Sequence, residues 1–203
     1  MTGPIRAVIF DFGGVVCSFD YGIFCRRLAA RTGVSPERIE ACAFHCDLQT
    51  QLESGQVSGP EYHRRLMAQL GVDVPYHEFC PMYGDIFTEL PETIALVRAL
   101  RTRYPLLLLS DTNEIHFDYV RRRIEALALF DHLVLSYEIG TMKPARRIFD
   151  EAARRAAVPA CSCLFIDDRA INIEGARRAG MAAIQFHAVD QCATELRRLG
   201  VAV

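Results

Sequence analysis

Three short apolar runs in this chain each end abruptly in acidic or hydroxyl-bearing residues. Ala7-Val8-Ile9-Phe10 is followed by Asp11 and then Gly13-Gly14. Leu106 to Leu109 is followed by Ser110-Asp111-Thr112-Asn113, and Leu164-Phe165-Ile166 by Asp167-Asp168. Runs this short, bounded by turn-forming residues, read as strands buried on both faces. Leu133-Val134-Leu135 and Ala183 to Phe186 read as further strands. Helical patterns lie between them: Pro91 to Arg103, Tyr119 to Leu129, Ala145 to Ala157, and Asn172 to Ala179 stopped by Gly180. This alternation predicts an α/β fold, a parallel sheet with helices on both faces. Ligands of such sheets bind beyond the carboxyl ends of the strands, where the polar clusters here fall.

Residues 18–88 break the alternation. Tyr21 to Thr32, Pro36 to Thr50, Pro60 to Leu70 and Tyr76 to Phe87 read as helices, with Ser35-Pro36-Glu37 and Ser58-Gly59-Pro60-Glu61 as helix starts. No strand-like run intervenes. The expected organisation is a core from residues 1–17 and 89–203 with a helical insertion over 18–88.

Composition narrows the function classes. A length of 203 residues, 51% hydrophobic, suffices for a core plus a small inserted unit. A formal charge of -2 and a pI near 6.3 give no basic excess for a nucleic-acid backbone. The pairs Arg26-Arg27, Arg64-Arg65, Arg154-Arg155 and Arg177-Arg178 fall in helical patterns and read as solvated faces. No apolar run approaches the roughly 20 residues of a membrane span, and Ile5 to Phe10 lacks the features of an export signal. The 8 cysteines form no CxxC pair. Cys42 and Cys46 share a helix face beside His45, but no second ligand pair stands at zinc-like spacing. Reduced thiols in a cytoplasmic protein are expected.

The strand-end residues make a chemical set with Lys143. A carboxylate can attack phosphorus, and Asp11 is placed to do so. A magnesium ion held by carboxylates, Asp168 among them, draws a dianionic ester toward that nucleophile. Ser110 can donate to phosphoryl oxygens, and Lys143 supplies fixed positive charge against the crowded acids. Gly13 and Gly14 let backbone approach metal and phosphate closely.

The segments Val8-Ile-Phe-Asp-Phe-Gly-Gly-Val-Val16, Leu107-Leu-Leu-Ser-Asp-Thr-Asn113, Gly140-Thr-Met-Lys-Pro144 and Leu164-Phe-Ile-Asp-Asp-Arg-Ala-Ile-Asn-Ile-Glu-Gly-Ala176 resemble, in order, the motifs of the haloacid dehalogenase-like hydrolase superfamily. Within it the chain is most similar to the bacterial α-D-glucose-1-phosphate phosphatase branch. The resemblance implies a Rossmann-like core, a helical cap inserted after the first motif, and a phosphatase acting through an aspartyl-phosphate on Asp11. It implies Mg²⁺ held by the Asp11 side chain, the Gly13 carbonyl and Asp168, with phosphate held by Ser110 and the Asp111 amide. Lys143 would orient Asp11, Asp167 would support the metal site, and Asn172 would orient rather than ligate. The implied partner is a small phosphate ester, a sugar phosphate by this likeness; separately, a monomer or weak dimer is expected.

One position departs from the pattern. Most phosphatases of this superfamily carry a second Asp two residues after the nucleophile, which protonates the leaving group; here Gly13 stands there. Such acid catalysis is typically worth about 10²–10⁴-fold. Asp20, Asp47, His45 or a water are candidates to supply the proton. Phe19, Asp20 and Tyr21 are expected at the entrance, and His116 either at the cleft or as a core or capping residue. Two other readings fit the same scaffold. One is a 2-haloacid dehalogenase, which lacks the paired acids seen at Asp167-Asp168. The other is a binding protein that has abandoned catalysis.

Overall fold

The computed structural model describes residues 4–203, so residues 1–3 of the expected core segment lie outside the described residues. Five strands form a parallel sheet: β1 (Ala7–Phe10), β4 (Leu106–Ser110), β5 (His132–Leu135), β6 (Cys163–Asp167) and β7 (Ala182–Gln185), in the order β5-β4-β1-β6-β7. The fold is thus the expected Rossmann-like α/β class. Strand β1 is central, with Phe10 opposite Leu108 on one side and Ile166 on the other.

The three central strands are apolar up to their carboxyl ends because both faces are covered. Val8, Phe10, Leu106, Leu108, Leu164 and Ile166 pack on one face against α6 (Pro91–Arg101) and α11 (Val189–Arg198). Ala7, Ile9, Leu107, Leu109 and Phe165 pack on the other against α9 (Arg146–Arg155) and α10 (Ala170–Arg178). The period of two along each strand divides one apolar run between two cores.

Between β1 and β4, α1 (Tyr21–Thr32), α2 (Pro36–Ala43), α3 (Asp47–Glu53), α4 (Gly59–Leu70) and α5 (Tyr76–Gly84) pack around an apolar cluster of their own, rich in aromatic rings. Ser35 and Ser58 cap α2 and α4 as expected, accepting from the Arg38 and Glu61 amides. Two of the arginine pairs lie on helix faces in ion pairs, Arg64 and Arg65 with Glu61, Arg154 and Arg155 with Glu151.

Three sequence expectations need correction. The helical segment is not free of strands: β2 (Cys17–Phe19) and β3 (Phe87–Glu89) pair antiparallel, Phe19 opposite Phe87, and tie its two ends together. The expected helix to Phe87 therefore stops at Gly84. Pro36 to Thr50 is two helices, broken at Phe44, His45 and Cys46. Phe44 is drawn into the aromatic cluster, stacked on Tyr21 at 3.8 Å and on Tyr83 at 5.7 Å. His45 takes a left-handed backbone with φ of 55°. Burial of one ring outweighs local helix preference. Tyr119 to Leu129 is also not one helix. Asn113 caps α7 (Glu114–Val120) by accepting from the His116 amide at 3.0 Å, and a 3₁₀ turn follows over Glu125–Leu129. Glu89 and Arg101 take the Ala126 amide and Ala128 carbonyl that a continuous ladder would need.

Candidate active site

Asp11 leaves the carboxyl end of β1, its amide held by the Ile166 carbonyl at 2.8 Å. The central position of β1 sets Asp11 between the ends of β4 and β6. Lys143, after the short helix α8 (Ser136–Ile139), reaches between the strands. Its Nζ stands 2.7 Å from Asp11 Oδ1, 2.8 Å from Asp167 Oδ2 and 3.4 Å from the Leu109 carbonyl oxygen. Only 2% of the Lys143 side chain is exposed, and none of Asp167. Burial lowers the affinity of Lys143 for its proton, but Asp11, Asp111 and Asp167 together raise it above the ordinary lysine value. The ammonium is therefore a fixed cation and not a proton donor.

The two oxygens of Asp11 differ. Oδ1 accepts from the Phe12 amide at 2.7 Å and from Lys143. Oδ2 has no hydrogen-bond partner among the described residues, and Asp11 lines a cavity of about 490 Å³. Asp167, by contrast, is saturated: Oδ1 accepts from the Arg169 amide at 2.8 Å, Oδ2 from Lys143, and Asn172 Nδ2 donates to both. Asp168 makes no ion pair among the described residues. Burial pushes Asp11 well above the usual carboxylate range, Lys143 pulls it back and Asp167 adds to the rise. Asp168 is raised by burial and then by Asp167.

These acids suit a hard divalent cation. Oxygens of Asp11, Asp167 and Asp168 lie within 4.8 Å of one another. Gly13 lines the same cavity, and the buried Asn172 Oδ1 has no partner. Gly14 has φ of 78°, and a Cβ there would lie 2.5 Å from Asp168 Oδ2, so glycine is what lets this carboxylate reach the loop. An all-oxygen donor set with surplus negative charge matches Mg²⁺. Cys42, His45 and Cys46 do not form a group that could hold a metal among the described residues. All eight cysteines are free, with Cys161 exposed.

Ser110 ends β4, buried, its hydroxyl 3.5 Å from the Asp111 carbonyl. It lines a small adjoining cavity with Phe12 and Thr112 rather than the main one. Asp111 lines the main cavity and accepts the Lys143 amide at 3.0 Å. Phe19 and Tyr21 stand at the cavity as expected. Asp20 does not: it caps α1 through the Gly22 amide and pairs with Arg26. Asp47 is exposed and off the cavity, whereas His45 lines it. His116 is a core residue, stacked 4.3 Å from Tyr83 and pushed down to about 3 by burial. The sequence reading missed Gln49, Thr50, Glu53, Met142 and Arg169, which also line the cavity. Gln49 and Glu53, four apart on α3, were hidden by the unrecognised break at His45.

Residues 5–180 match the haloacid dehalogenase-like hydrolase family. This chain belongs to that family. It is similar to the D-ribitol-5-phosphate phosphatase of Bacteroides thetaiotaomicron, 27% identical over 89% of this chain and 91% of that protein. It is similar also to a phosphatase of Mycobacterium tuberculosis, 30% identical over 88% of this chain and 86% of that one. A family enzyme from Bacteroides thetaiotaomicron, crystallised with magnesium and inorganic phosphate, superposes with a TM-score of 0.80 at 25% identity, covering 91% and 95% of the two chains.

Proposed function

We propose that this hydrolase is a Mg²⁺-dependent phosphatase of a small sugar or polyol phosphate, acting through an aspartyl-phosphate on Asp11. The observation that carries this reading is the division of the Asp11 carboxylate. One oxygen is fixed by Lys143 and an amide, and the other is left unpartnered in a residue that faces the cavity. That is the arrangement an attacking carboxylate needs.

Asp11, the Gly13 carbonyl and Asp168 are the residues that would hold Mg²⁺, with Asp167 and Asn172 supporting them. Bound there, the ion supplies positive charge between an anionic nucleophile and a dianionic ester. Lys143 holds Asp11 in line and keeps its charge at the phosphoryl group. The Ser110 hydroxyl, once rotated from the Asp111 carbonyl, and the Asp111 amide donate to phosphoryl oxygens. The helical segment 18–88 acts as a cap over the core of 1–17 and 89–203, and Tyr21, His45, Gln49 and Glu53 select the substrate. A cavity of about 490 Å³ with a polar wall suits a small hydroxylated metabolite, as the ribitol-5-phosphate phosphatase relative suggests. The α-D-glucose-1-phosphate branch is one member of this substrate class. The setting this reading carries is a cytoplasmic monomer or weak dimer with free thiols.

A panel of sugar and polyol phosphates assayed with Mg²⁺ tests the proposal. Steady phosphate release, abolished by EDTA and by Asp11→Asn, is the expected result; no turnover across the panel contradicts it. Metal-free halide release from 2-chloropropionate would favour a dehalogenase instead, and none is expected, because Asp168 beside Asp11 adds anionic charge that an anionic haloacid would meet.

A further inference from the structure

Cleaving an alkyl phosphate expels an alkoxide, which needs a proton as it leaves. The strand ends offer no donor. Lys143 is locked between carboxylates, Asp11 is the nucleophile, Asp111 is turned to the Lys143 amide, Asp167 is saturated, and Asp168 faces the metal position. Position 13 has no side chain, and a Cβ there would come within 3.0 Å of the Phe19 ring. The helical wall does offer one. Glu53, at the last turn of α3, lines the same cavity as Asp11 and Asp168. Its Oε1 accepts from Gln49 Nε2 at 2.8 Å, and its Oε2 has no partner among the described residues.

Resting on the phosphatase reading, we infer that Glu53 is the general acid–base of the reaction. Asp11 Oδ2 bonds to phosphorus as the bond from phosphorus to the ester oxygen breaks, and the Glu53 proton passes from Oε2 to that oxygen, releasing the alcohol. The Glu53 carboxylate then takes a proton from water as the water oxygen bonds to phosphorus and the Asp11 oxygen departs. Inorganic phosphate is released, Asp11 is restored and Glu53 is again protonated.

Gln49 positions this carboxyl. It is itself buried and fully engaged: Oε1 accepts from the His45 amide at 2.6 Å, and Nε2 also donates to the Tyr21 hydroxyl at 3.2 Å. The left-handed turn at His45 thus aims α3 at the cavity. Burial raises Glu53 to about 7, the Gln49 bond lowers it, Asp111 raises it and Arg169 lowers it again. Tyr21 of α1, Tyr62 of α4 and Tyr83 of α5 also feel its charge. Such a carboxyl holds its proton near neutral pH and can exchange it within one turnover. His45 also lines the cavity, but no hydrogen bond holds its ring among the described residues.

The test compares an alkyl phosphate, glycerol 3-phosphate or the best polyol phosphate of the panel, with p-nitrophenyl phosphate, whose leaving group needs little protonation. In wild-type enzyme with saturating Mg²⁺, kcat/KM for the alkyl ester, which reports phosphoryl transfer to Asp11 and not the later hydrolysis, falls on a basic limb near neutrality that is weak or absent for the aryl ester. Glu53→Gln lowers kcat/KM for the alkyl ester by about 10²-fold or more and for the aryl ester by far less, and loses the basic limb, while kcat for both esters falls to the slowed hydrolysis of the shared aspartyl-phosphate. The wild-type profile stands whether or not the variant folds. Equal losses of kcat/KM on both esters, matching kcat/KM pH profiles, or turnover of aryl esters alone overturn the role of Glu53 while leaving the Asp11 reading intact. Absence of turnover of either ester by wild-type enzyme overturns the phosphatase reading and this inference with it.

Discussion

At the strand ends, buried Lys143 bridges buried Asp11 and Asp167 at 2.7 and 2.8 Å, with Asn172 closing the far side of Asp167. On the helical wall, Gln49 and Glu53 belong to a short helix that follows a broken one, and a single amide side chain fixes the acid. The first region is rigid because every charge in it has a partner whose loss would strand another. The second has one saturated residue, Gln49, holding one half-free residue, Glu53. The difference matches the two demands on the cavity: a reaction centre that must not move, and a wall that meets substrates and exchanges protons.

Breaking the first region has the largest effect. Asp11→Asn lowers turnover by on the order of 10⁴-fold or more, since it removes the attacking oxygen. Measurable residual rates close to wild type, from enzyme free of contaminating phosphatase, would break the comparison at its root. Lys143→Met leaves Asp11 and Asp167 buried without their cation, and urea unfolding at pH 7 shows a deficit of about 3–5 kcal/mol. The deficit shrinks at lower pH as Asp11, already raised by burial, protonates. A variant of unchanged stability would show that these acids are not an interdependent set. Asn172→Leu removes two donors to Asp167 and costs about 1–3 kcal/mol in the same assay, with weaker Mg²⁺ dependence of the rate.

The second region answers more gently and with a distinctive sign. Glu53 ionises at about 7 in the folded protein against an ordinary value of 4.5, so the folded state holds an extra proton between those values. Wild-type stability therefore falls as pH rises through that window. Glu53→Gln has no proton to lose there, and its Tm gains on wild type between pH 4.5 and 7 by on the order of a few degrees. Parallel Tm profiles would mean that Glu53 is an ordinary solvated carboxylate.

The two regions were also unequally legible. Asp11, Ser110, Lys143, Asp167 and Asp168 could be placed from sequence because strands buried on both faces read as continuous apolar runs, and their ends are marked by the first polar residue. The lysine–carboxylate set then followed from charge. The wall could not be read this way. Pro36 to Thr50 carries a helical pattern, and nothing local reports that Phe44 leaves it to stack between Tyr21 and Tyr83. With the break unseen, α3 ended too early and Glu53 fell in a loop. The β2–β3 pair escaped for a related reason, since three-residue strands are too short for a period-two signal. Asp20 and Asp47 looked available because sequence shows an acid but not whether it caps a helix or faces solvent.

The most direct test of the account is to quench turnover of a phosphate ester in acid and map the mass of Asp11. In the presence of Mg²⁺ the peptide containing Asp11 should carry one phosphoryl group, absent from Asp11→Asn and from EDTA-treated enzyme. When the turnover is run in ¹⁸O-water, label should enter the released phosphate and not the Asp11 carboxylate. Turnover with no phosphoryl group trapped at Asp11 under any quench, or ¹⁸O found in its carboxylate, would contradict it.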